Sequence, residues 1–272
     1  MTKPIPRDLI YRRRVFDADV IQLCVRWYVS YRLSYRDLVE LMAERGIHLA
    51  HSTILRWVAH YVPEYEKRWS RFSKPVGRSW RVDETYICIR GKWHYLYRAV
   101  DKCGKTVDFL LRPDRGVAAA QAFFRKALAS TLPRVPRKIT LDGHRPSRRA
   151  LWRLRLEHPC WRNVLVRTNK YLNNVIEQDH RAIKRRCASM AGFKTFSGAA
   201  TTIAGIELAH RIHKRQYSFG RGYPGPNVSL KQLWHPLVKG TFAARCIETR
   251  TSWGSCFQAP LTTLDICAGG RI

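Results

Sequence analysis

Apolar side chains recur at steps of three and four residues between residues 17 and 61, which is the spacing of amphipathic α-helices. The apolar stripe of the first helix consists of Val20, Leu23, Cys24, Trp27 and Tyr28. The second helix begins after Ser34, where Asp37 completes a weak capping-box variant, and it ends at Gly46. The pattern therefore predicts an all-α domain over residues 1–62.

A third helix follows His51, and its outward face carries candidate nucleic-acid contacts. The side chains expected to point inward are Ile54, Leu55 and Val58. Those expected to point outward are Thr53, Arg56 and His60. Two short helices around a glycine-containing bend are typical of a helix-turn-helix, whose second helix enters the DNA major groove and would bring these side chains to base edges or phosphates. A plain three-helix bundle with a solvated polar face has the same spacing, and the pattern leaves both interpretations open.

The periodicity changes after residues 63–78, a polar and basic stretch that is predicted to be an interdomain linker. The next three β-rich runs are separated by short breaks, which indicates successive antiparallel strands. The predicted strands cover residues 80–89, 93–100, 106–111, 138–141 and 163–166, and the helices residues 116–130, 147–156, 174–187 and 198–215. This order predicts a mixed α/β domain over residues 79–217.

The charge of the chain narrows the class of partner. Its 272 residues include 50 Lys and Arg against 20 Asp and Glu, so the formal net charge is +30. With 45% hydrophobic residues the chain can build a core, which excludes a disordered basic tail. A phosphate backbone is the commonest partner of such a surface, with an acidic membrane leaflet second. Nucleic acid is therefore the first expectation for the partner, before a membrane surface.

The sequence predicts no membrane partner and no disulfide framework. It contains neither a secretory signal nor eighteen apolar residues in a row without a charge, so we expect a cytosolic or nuclear protein. The 8 cysteines include no pair at CxxC spacing, which argues against a zinc ribbon. We interpret them as reduced thiols that are mostly buried.

Acidic residues are rare in this chain, so each one suggests a reason for its presence. Asp83 lies inside the first predicted strand, where aspartate is disfavoured, and Glu84 is its neighbour. Because side chains alternate across a strand, at most one of the two is expected to join a given site. The spacing does not say which. Asp142 follows the strand over residues 138–141, where catalytic groups often collect, but Asp142-Gly143 is equally a turn signal.

Glu177 begins a polar face on the helix predicted for residues 174–187. With Asn174 as N-cap, Glu177 completes a capping box, which is a structural explanation for its position. Arg181 and Lys184 follow at i+4 and i+7, so an acid and two cations share this face. An acid beside phosphate-binding cations suits metal-assisted chemistry on DNA, although a solvated, salt-bridged face explains the spacing nearly as well.

Three carboxylates from a strand, a strand end and a helix could converge on two divalent metal ions. Such an all-oxygen set suits Mg²⁺ or Mn²⁺. Two ions roughly 4 Å apart would activate a water or a 3′-OH and stabilise the leaving oxygen of an in-line displacement.

The segment KYLNNVIEQDHRAIKRR at residues 170–186 closely resembles the third-carboxylate helix of small bacterial insertion-sequence transposases. These are DDE transposases with an RNase H-like core, from the group known for cointegrate-forming transposition. Other motifs agree in order: WY (27–28), LSYRD (33–37), AERG (43–46), RWV (56–58), RVDETY (81–86), YRAVD (97–101), LDGH (141–144), GFK (192–194) and AGIE (204–207). Asp142 and Glu177 are separated by 34 residues, a spacing typical of that group.

The resemblance covers about residues 10–217 and implies a role for each of the candidate site residues. It implies that Asp83, Asp142 and Glu177 are the catalytic, metal-binding triad, with Glu84 outside it, and that Lys184 positions transposon-end DNA. It also implies two Mg²⁺ or Mn²⁺ ions, terminal inverted repeats and target DNA as substrates, a homodimer or higher oligomer, and a bacterial cytoplasmic, nucleoid-associated location.

The resemblance ends near Tyr217, and residues 218–272 show no clear period or motif after a stretch rich in Gly and Pro. This tail is either a small docking or dimerisation element or acquired sequence without function, and we favour the second interpretation.

Three other functions remain open at this point. A host-side RNase H-like nuclease would share the triad but cut without joining. A DNA-binding regulator would use the helix-turn-helix alone, with an inactive core. A structural protein coating DNA would give no reason for carboxylates in these motifs.

Overall fold

The computed structural model describes residues 9–11, 15–143, 145–168, 174–190, 192–218 and 234. Its first part is helical and consists of α1 (Ala18–Ser30), α2 (Tyr35–Ala43) and α3 (His51–Ser70). The predicted capping box begins α2: the backbone N–H of Asp37 donates to Ser34 Oγ, and the backbone N–H of Ser34 donates to Asp37 Oδ2. An all-α N-terminal region is thereby confirmed.

The second part is a five-stranded mixed sheet with helices on both faces. Its strands are β1 (Ser79–Ile89), β2 (Lys92–Asp101), β3 (Thr106–Arg112), β4 (Lys138–Leu141) and β5 (Leu165–Thr168). Its helices are α4 (Val117–Thr131), α5 (Arg145–Glu157), α6 (Asn174–Ala188) and α7 (Phe196–His213). The strand order is β3-β2-β1-β4-β5, with β1 to β3 antiparallel, β4 parallel to β1 and β5 parallel to β4. This is the mixed α/β, RNase H-like class that the sequence predicts.

Each face of the sheet has its own apolar core. On one face α4 and α5 pack against β1 and β2, with Trp80, Val82 and Phe123 among the buried side chains. On the other face α6 and α7 pack through Ile183 and Ile203. The central strands are therefore held from both sides. Strand β5 is at an edge, and it begins at residue 165 rather than at the predicted residue 163.

Helix α7 joins the sheet to the N-terminal helices. Its first half contributes to the core on the sheet, while Leu208, Ala209 and Ile212 belong to the core of α1, α2 and α3. Gly205, in the middle of α7, allows a close approach to α1, since a Cβ there would lie 2.7 Å from Val29 Cγ1. The helical region is thus packed firmly on the sheet-containing part.

The linker predicted for residues 63–78 is wrong in its first half, because α3 continues to Ser70. A proline inside a helix removes one backbone hydrogen bond, and Pro63 is such a residue. Tyr65 and Trp69 follow it with exposures of 0% and 1%, so burial of large rings favours continuation of the helix. The rest of the stretch is also anchored, because the N–H of Lys74 donates to the Gln216 carbonyl at 2.7 Å.

The inward position predicted for Leu55 is also wrong, since this side chain is 49% exposed. The buried face of α3 runs through Ile54, Trp57, Val58 and Tyr61. Steps of three and four residues from Ile54 omit Leu55, and the ring of Trp57 fills the inward position instead.

Two residues of the tail are described, Ser218 and Trp234, and Trp234 is part of the helical core. Trp234 is 0% exposed, its backbone carbonyl accepts a hydrogen bond from Gln22 Nε2 at 3.0 Å, and its ring packs edge-on against Tyr65 and Trp69. This contact contradicts, for Trp234, the interpretation of the tail as sequence without a role.

The described cysteines are free thiols, but the prediction that most are buried is wrong. Cys24 is buried and Cys187 half-buried, whereas Cys88, Cys103 and Cys160 are exposed. None of the helices in the described ranges combines the length and apolar character needed to cross a bilayer.

Candidate active site

The parallel pairing of β1 and β4 brings two predicted site residues together. Val82 pairs with Leu141, the last residue of β4. Asp83 and Asp142 are the next residue on each strand, and parallel strands in register place such residues side by side. Gly143 then turns the chain away with a φ of 108°, a conformation that glycine adopts readily.

Glu84 joins these two aspartates in a cluster of three carboxylates. One oxygen from each of Asp83, Glu84 and Asp142 lies within 4.8 Å of the others. The expectation that only one of Asp83 and Glu84 reaches a given site is therefore wrong. Both residues lie beyond Val82, the last β1 residue paired with β4, so both carboxylates can reach Asp142 at the end of the shorter strand. An all-carboxylate set of this kind suits a hard divalent cation.

The electrostatics of Asp83 reflect the crowding of acids. Burial, and after it the negative charge of Asp142, raises the pKa of Asp83 to about 7. Its Oδ1 accepts a hydrogen bond from the Glu84 backbone N–H at 2.9 Å, which opposes this shift. Two carboxylates so close together disfavour being charged at once, and a cation bound between them removes the repulsion.

Glu84 has a cationic partner in Arg115. Arg115, in the loop between β3 and α4, donates two hydrogen bonds to Glu84 Oε1, at 2.9 and 2.7 Å. The Glu84 side chain is 2% exposed. Burial raises the pKa of Glu84, while Arg115 acts in the opposite direction. This ion pair orients the Glu84 carboxylate toward Arg115.

Helix α6 approaches the cluster through His180. Its Nδ1 lies 3.5 Å from Asp83 Oδ2, and burial, with the nearby charges of Arg98 and Lys184, lowers the pKa of His180 to about 3. The imidazole is therefore neutral at neutral pH and does not form an ion pair with Asp83. Glu177 is exposed and lies in the first turn of α6, three residues before His180. Glu177 is not among the clustered carboxylates, so the structure brings together two of the three predicted triad residues, Asp83 and Asp142.

A buried ion network fixes α6 against the sheet and α7. Arg98 on β2 is 0% exposed, and its Nε lies 2.6 Å from Oε1 of Glu207, which is also 0% exposed. Arg98 contacts Asp179 of α6 at 3.2 Å, and Lys214 Nζ contacts the same Asp179 oxygen at 2.6 Å. Asp179 is two residues from Glu177. The network therefore sets the position of the helix that carries the third predicted carboxylate.

The predicted DNA contacts lie on exposed faces of their helices. On α3, Arg56 and His60 are exposed and Thr53 is half-buried, with Arg56 Nη2 3.5 Å from Thr53 Oγ1. On α6, Arg181 and Lys184 are exposed, as Glu177 is. Helix α6 begins at Asn174, and the predicted N-cap contact of the Asn174 side chain lies outside the described part of the structure.

Four polar residues of this region escape prediction from the sequence: His180, Arg98, Glu207 and Arg115. Arg98 and Glu207 lie in the motifs YRAVD and AGIE. A charged residue inside an apolar run is the sequence signal that could have indicated a buried ion pair. Their pairing joins residues that are 109 positions apart, and spacing carries no information on such a contact.

Comparison with known proteins gives the chain its family. The DDE domain family matches residues 77–216. The transposase for insertion sequence-like element IS431mec of Staphylococcus aureus is 38% identical over 211 residues, which cover 75% of this chain and 89% of that protein. The transposase for insertion sequence element IS257 in transposon Tn4003, from the same species, shows the same identity and coverage.

Solved structures are similar only remotely. The catalytic core domain of BIV integrase is 14% identical, with a TM-score of 0.35 over 64% of this chain and 98% of that chain. The HTLV-2 integrase catalytic core domain is 12% identical, with a TM-score of 0.34 over 60% of this chain and 83% of that chain. From the domain match and the identity over three quarters of its length, the chain belongs to the DDE transposases of bacterial insertion sequences.

Proposed function

We propose that Asp83, Asp142 and Glu177 form the catalytic triad with which this transposase cleaves DNA at the ends of its element and joins the freed 3′-OH to target DNA. The observation that carries the proposal is the convergence of Asp83 and Asp142 at adjacent strand ends inside the matched DDE domain. Glu177 would complete the set, since it lies on α6 three residues before His180, whose ring contacts Asp83.

A divalent cation fits this donor set. The carboxylates supply only oxygen ligands, and the raised pKa of Asp83 indicates a pair that benefits from a bound cation in place of a proton. We propose two ions, Mg²⁺ or Mn²⁺, held by Asp83, Asp142 and Glu177. When bound, such ions polarise the attacking and leaving oxygens of a phosphoryl transfer.

The residues around the triad have separate tasks in this proposal. Arg115 keeps Glu84 engaged, so that Glu84 does not compete for the ions. The neutral imidazole of His180 holds Asp83 in place without adding charge. Phosphoryl transfer of this type proceeds without a covalent protein intermediate, so no Ser, Tyr or Cys nucleophile is required.

DNA is bound by the basic surface outside the triad. The net charge of +30 supplies a general attraction to phosphates. Thr53, Arg56 and His60 on α3 would contact the terminal inverted repeats, while Arg181 and Lys184 would contact the backbone near the cleavage point. Two ends must be held together, so we propose a homodimer or higher oligomer on DNA, acting in the bacterial cytoplasm in association with the nucleoid.

The proposal is tested by strand cleavage and strand transfer in vitro, with Mg²⁺ and duplexes that carry the DNA sequence flanking the gene. We expect Asp83→Asn, Asp142→Asn and Glu177→Gln each to reduce both products by about a hundredfold or more, because each removes a ligand charge at the reacting phosphate.

Glu157→Gln is the matched control, since it removes a carboxylate from α5 that pairs with Arg125 at 2.5 Å. It is expected to retain activity. Full activity of any triad variant would refute the assignment, and cleavage without joining would indicate a nuclease rather than a transposase. Sequence-specific binding without cleavage in the unaltered chain would support a regulator with an inactive core.

A further inference from the structure

Beside the carboxylate cluster, the end of the β1–β2 hairpin presents exposed aromatic rings. Tyr86 is 42% exposed and Trp93 63% exposed, and Tyr95 is half-buried. Tyr86 on β1 pairs across the sheet with Tyr95 on β2, so the two share one face. Helices α4 and α5 cover this face near Val82 and Tyr97, and the rings lie further along the strands.

The guanidinium of Arg115 joins these rings to the active site. It lies 5.6 Å from the ring centre of Tyr86 and 6.0 Å from that of Tyr95, distances at which a cation interacts with an aromatic face. The same group donates to the Tyr86 hydroxyl at 2.9 Å and to Glu84, which is within 4.8 Å of Asp83 and Asp142. Tyr86, Trp93, Tyr95 and Arg115, hereafter the aromatic patch, therefore adjoin the place where the reacting phosphate is expected.

Tyr86 and Trp93 do not stack on each other, so their ring faces are not covered by one another. Tyr86 and Trp93 meet edge to face, with an interplanar angle of 79° and centroids 6.2 Å apart, rather than in a parallel stack. Exposed aromatic faces beside a cation bind unpaired nucleotides, because every base stacks on an aromatic ring and the cation attracts the phosphate.

The recessed position of Asp83 gives a physical reason for DNA bases to unpair at the carboxylate cluster. The Asp83 side chain is only 15% exposed, so a phosphate must approach closely to reach it. A base next to that phosphate can leave the duplex more easily when a stacking surface receives it, because stacking on the protein replaces part of the stacking lost on unpairing. The positive charge of the chain, together with Arg115 in the patch, favours a nucleic acid over a second copy of this basic protein.

We propose that the aromatic patch binds one or two unpaired bases of the DNA strand whose phosphate lies at the carboxylate cluster. The proposal rests on the proposed function and adds a binding surface to it. In this arrangement Trp93 and Tyr86 stack with bases, and Arg115 connects the stacked strand to the acidic site.

The test measures, by fluorescence anisotropy and without divalent metal, how tightly the full-length chain binds two DNA probes. One probe is a labelled single-stranded oligodeoxythymidine, and the other is a labelled blunt duplex of equal length. We expect Trp93→Ala and Tyr86→Ala each to weaken binding of the single strand by about fivefold or more, and binding of the duplex by less than about twofold. Trp93→Phe is expected to retain most of the affinity, because it keeps an aromatic ring.

Trp152→Ala is the matched control, since Trp152 lies on α5 and is 59% exposed. The proposal is overturned if the patch variants weaken both probes equally or neither, or if Trp152→Ala has the same effect. It is also overturned if Trp93→Ala changes the oligomeric state in solution, which would make the patch an interface between copies. Strand cleavage that is independent of the triad would refute the proposed function but leave patch-dependent binding standing, so the two failures are distinguishable.

Discussion

Gly143, the residue after Asp142, has a backbone conformation that other residues rarely adopt. Its φ is 108°, and a Cβ there would also lie 3.5 Å from Thr168 Cγ2 on β5. A side chain at this position must therefore either strain the backbone, at a cost of about 1–3 kcal/mol, or shift the turn that holds Asp142.

Gly143→Ala is thus expected to lower the free energy of unfolding by about that amount and to reduce strand transfer by about tenfold or more, since small misplacements of catalytic groups cost much activity. Chemical denaturation and the strand-transfer assay measure the two effects. Gly116→Ala is the control, because Gly116 has a φ of −89° and a Cβ there meets nothing closer than 3.8 Å. Activity of Gly143→Ala equal to that of the control would contradict this role.

At the same scale, the sequence predicts that Asp83 and Asp142 could converge, but it does not predict that Glu84 lies beside them. An aspartate inside a strand and an aspartate directly after a strand are visible without a structure. The alternation of side chains along a strand assigns Glu84 to the opposite face of the sheet from Asp83. It gives no information on where β4 ends, and because β4 ends at Leu141, both carboxylates can reach Asp142. The pairing of Glu84 with Arg115, 31 residues away, is a tertiary contact that no local pattern encodes.

Among the elements, α6 depends most on buried charge. Arg98 contacts both Glu207 and Asp179, and its side chain is 0% exposed. Arg98→Leu would leave two buried carboxylates without their guanidinium, and breaking such a buried pair typically costs about 3–5 kcal/mol. We expect this loss in chemical denaturation, together with faster hydrogen exchange in α6.

The exposed pair of Arg125 with Glu157 provides the comparison, since its side chains are 52% and 39% exposed. Arg125→Ala is expected to cost less than about 1 kcal/mol. If Arg98→Leu costs no more than Arg125→Ala, the buried network does not hold α6.

Helix α7 depends on close packing at Gly205. An added Cβ would lie 2.7 Å from Val29 Cγ1 and 3.0 Å from Val62 Cγ2, closer than real contacts allow. Gly205→Ala is expected to lower the free energy of unfolding, because overpacking costs about 1–3 kcal/mol and exceeds the roughly 1 kcal/mol gained in helix propensity.

Val29→Ala provides the matched test by removing the closer of the two contacts. The double variant Gly205→Ala with Val29→Ala is expected to be less destabilised than the sum of the single variants. Strict additivity, or a Gly205→Ala variant more stable than the unaltered chain, would show that α7 does not pack tightly against α1.

Prediction at the element scale succeeded where periodicity is long and failed where tertiary contacts decide. The antiparallel strands and the helix that carries Glu177 follow from period and propensity. The extension of α3 past Pro63 is favoured by the burial of Tyr65 and Trp69, which a local proline signal does not reveal. The start of β5 is determined by its register with β4, in which Lys138 pairs with Leu165.

For the whole molecule, the tail contributes to the helical core through Trp234. Replacing a fully buried tryptophan by alanine typically costs about 3–5 kcal/mol. Trp234→Ala is therefore expected to destabilise the chain by an amount in this range, measured by chemical denaturation. A chain truncated after Tyr217 loses the same contact and is expected to behave alike.

The control for Trp234 is Trp93→Ala, because Trp93 is 63% exposed and its removal is expected to change stability by less than about 0.5 kcal/mol. If Trp234→Ala and truncation leave stability unchanged, the tail is dispensable for folding.

The molecule as a whole combines a strongly basic composition with a carboxylate cluster at adjacent strand ends, and the central claim is that Asp83, Asp142 and Glu177 hold metal together. Its most direct test is Mn²⁺ binding to the metal-free, full-length chain by titration calorimetry. We predict that Asp83→Asn, Asp142→Asn and Glu177→Gln each lower the affinity by about tenfold or more, while Glu157→Gln has no effect. Unchanged affinity in Glu177→Gln together with lost affinity in Glu84→Gln would contradict the account.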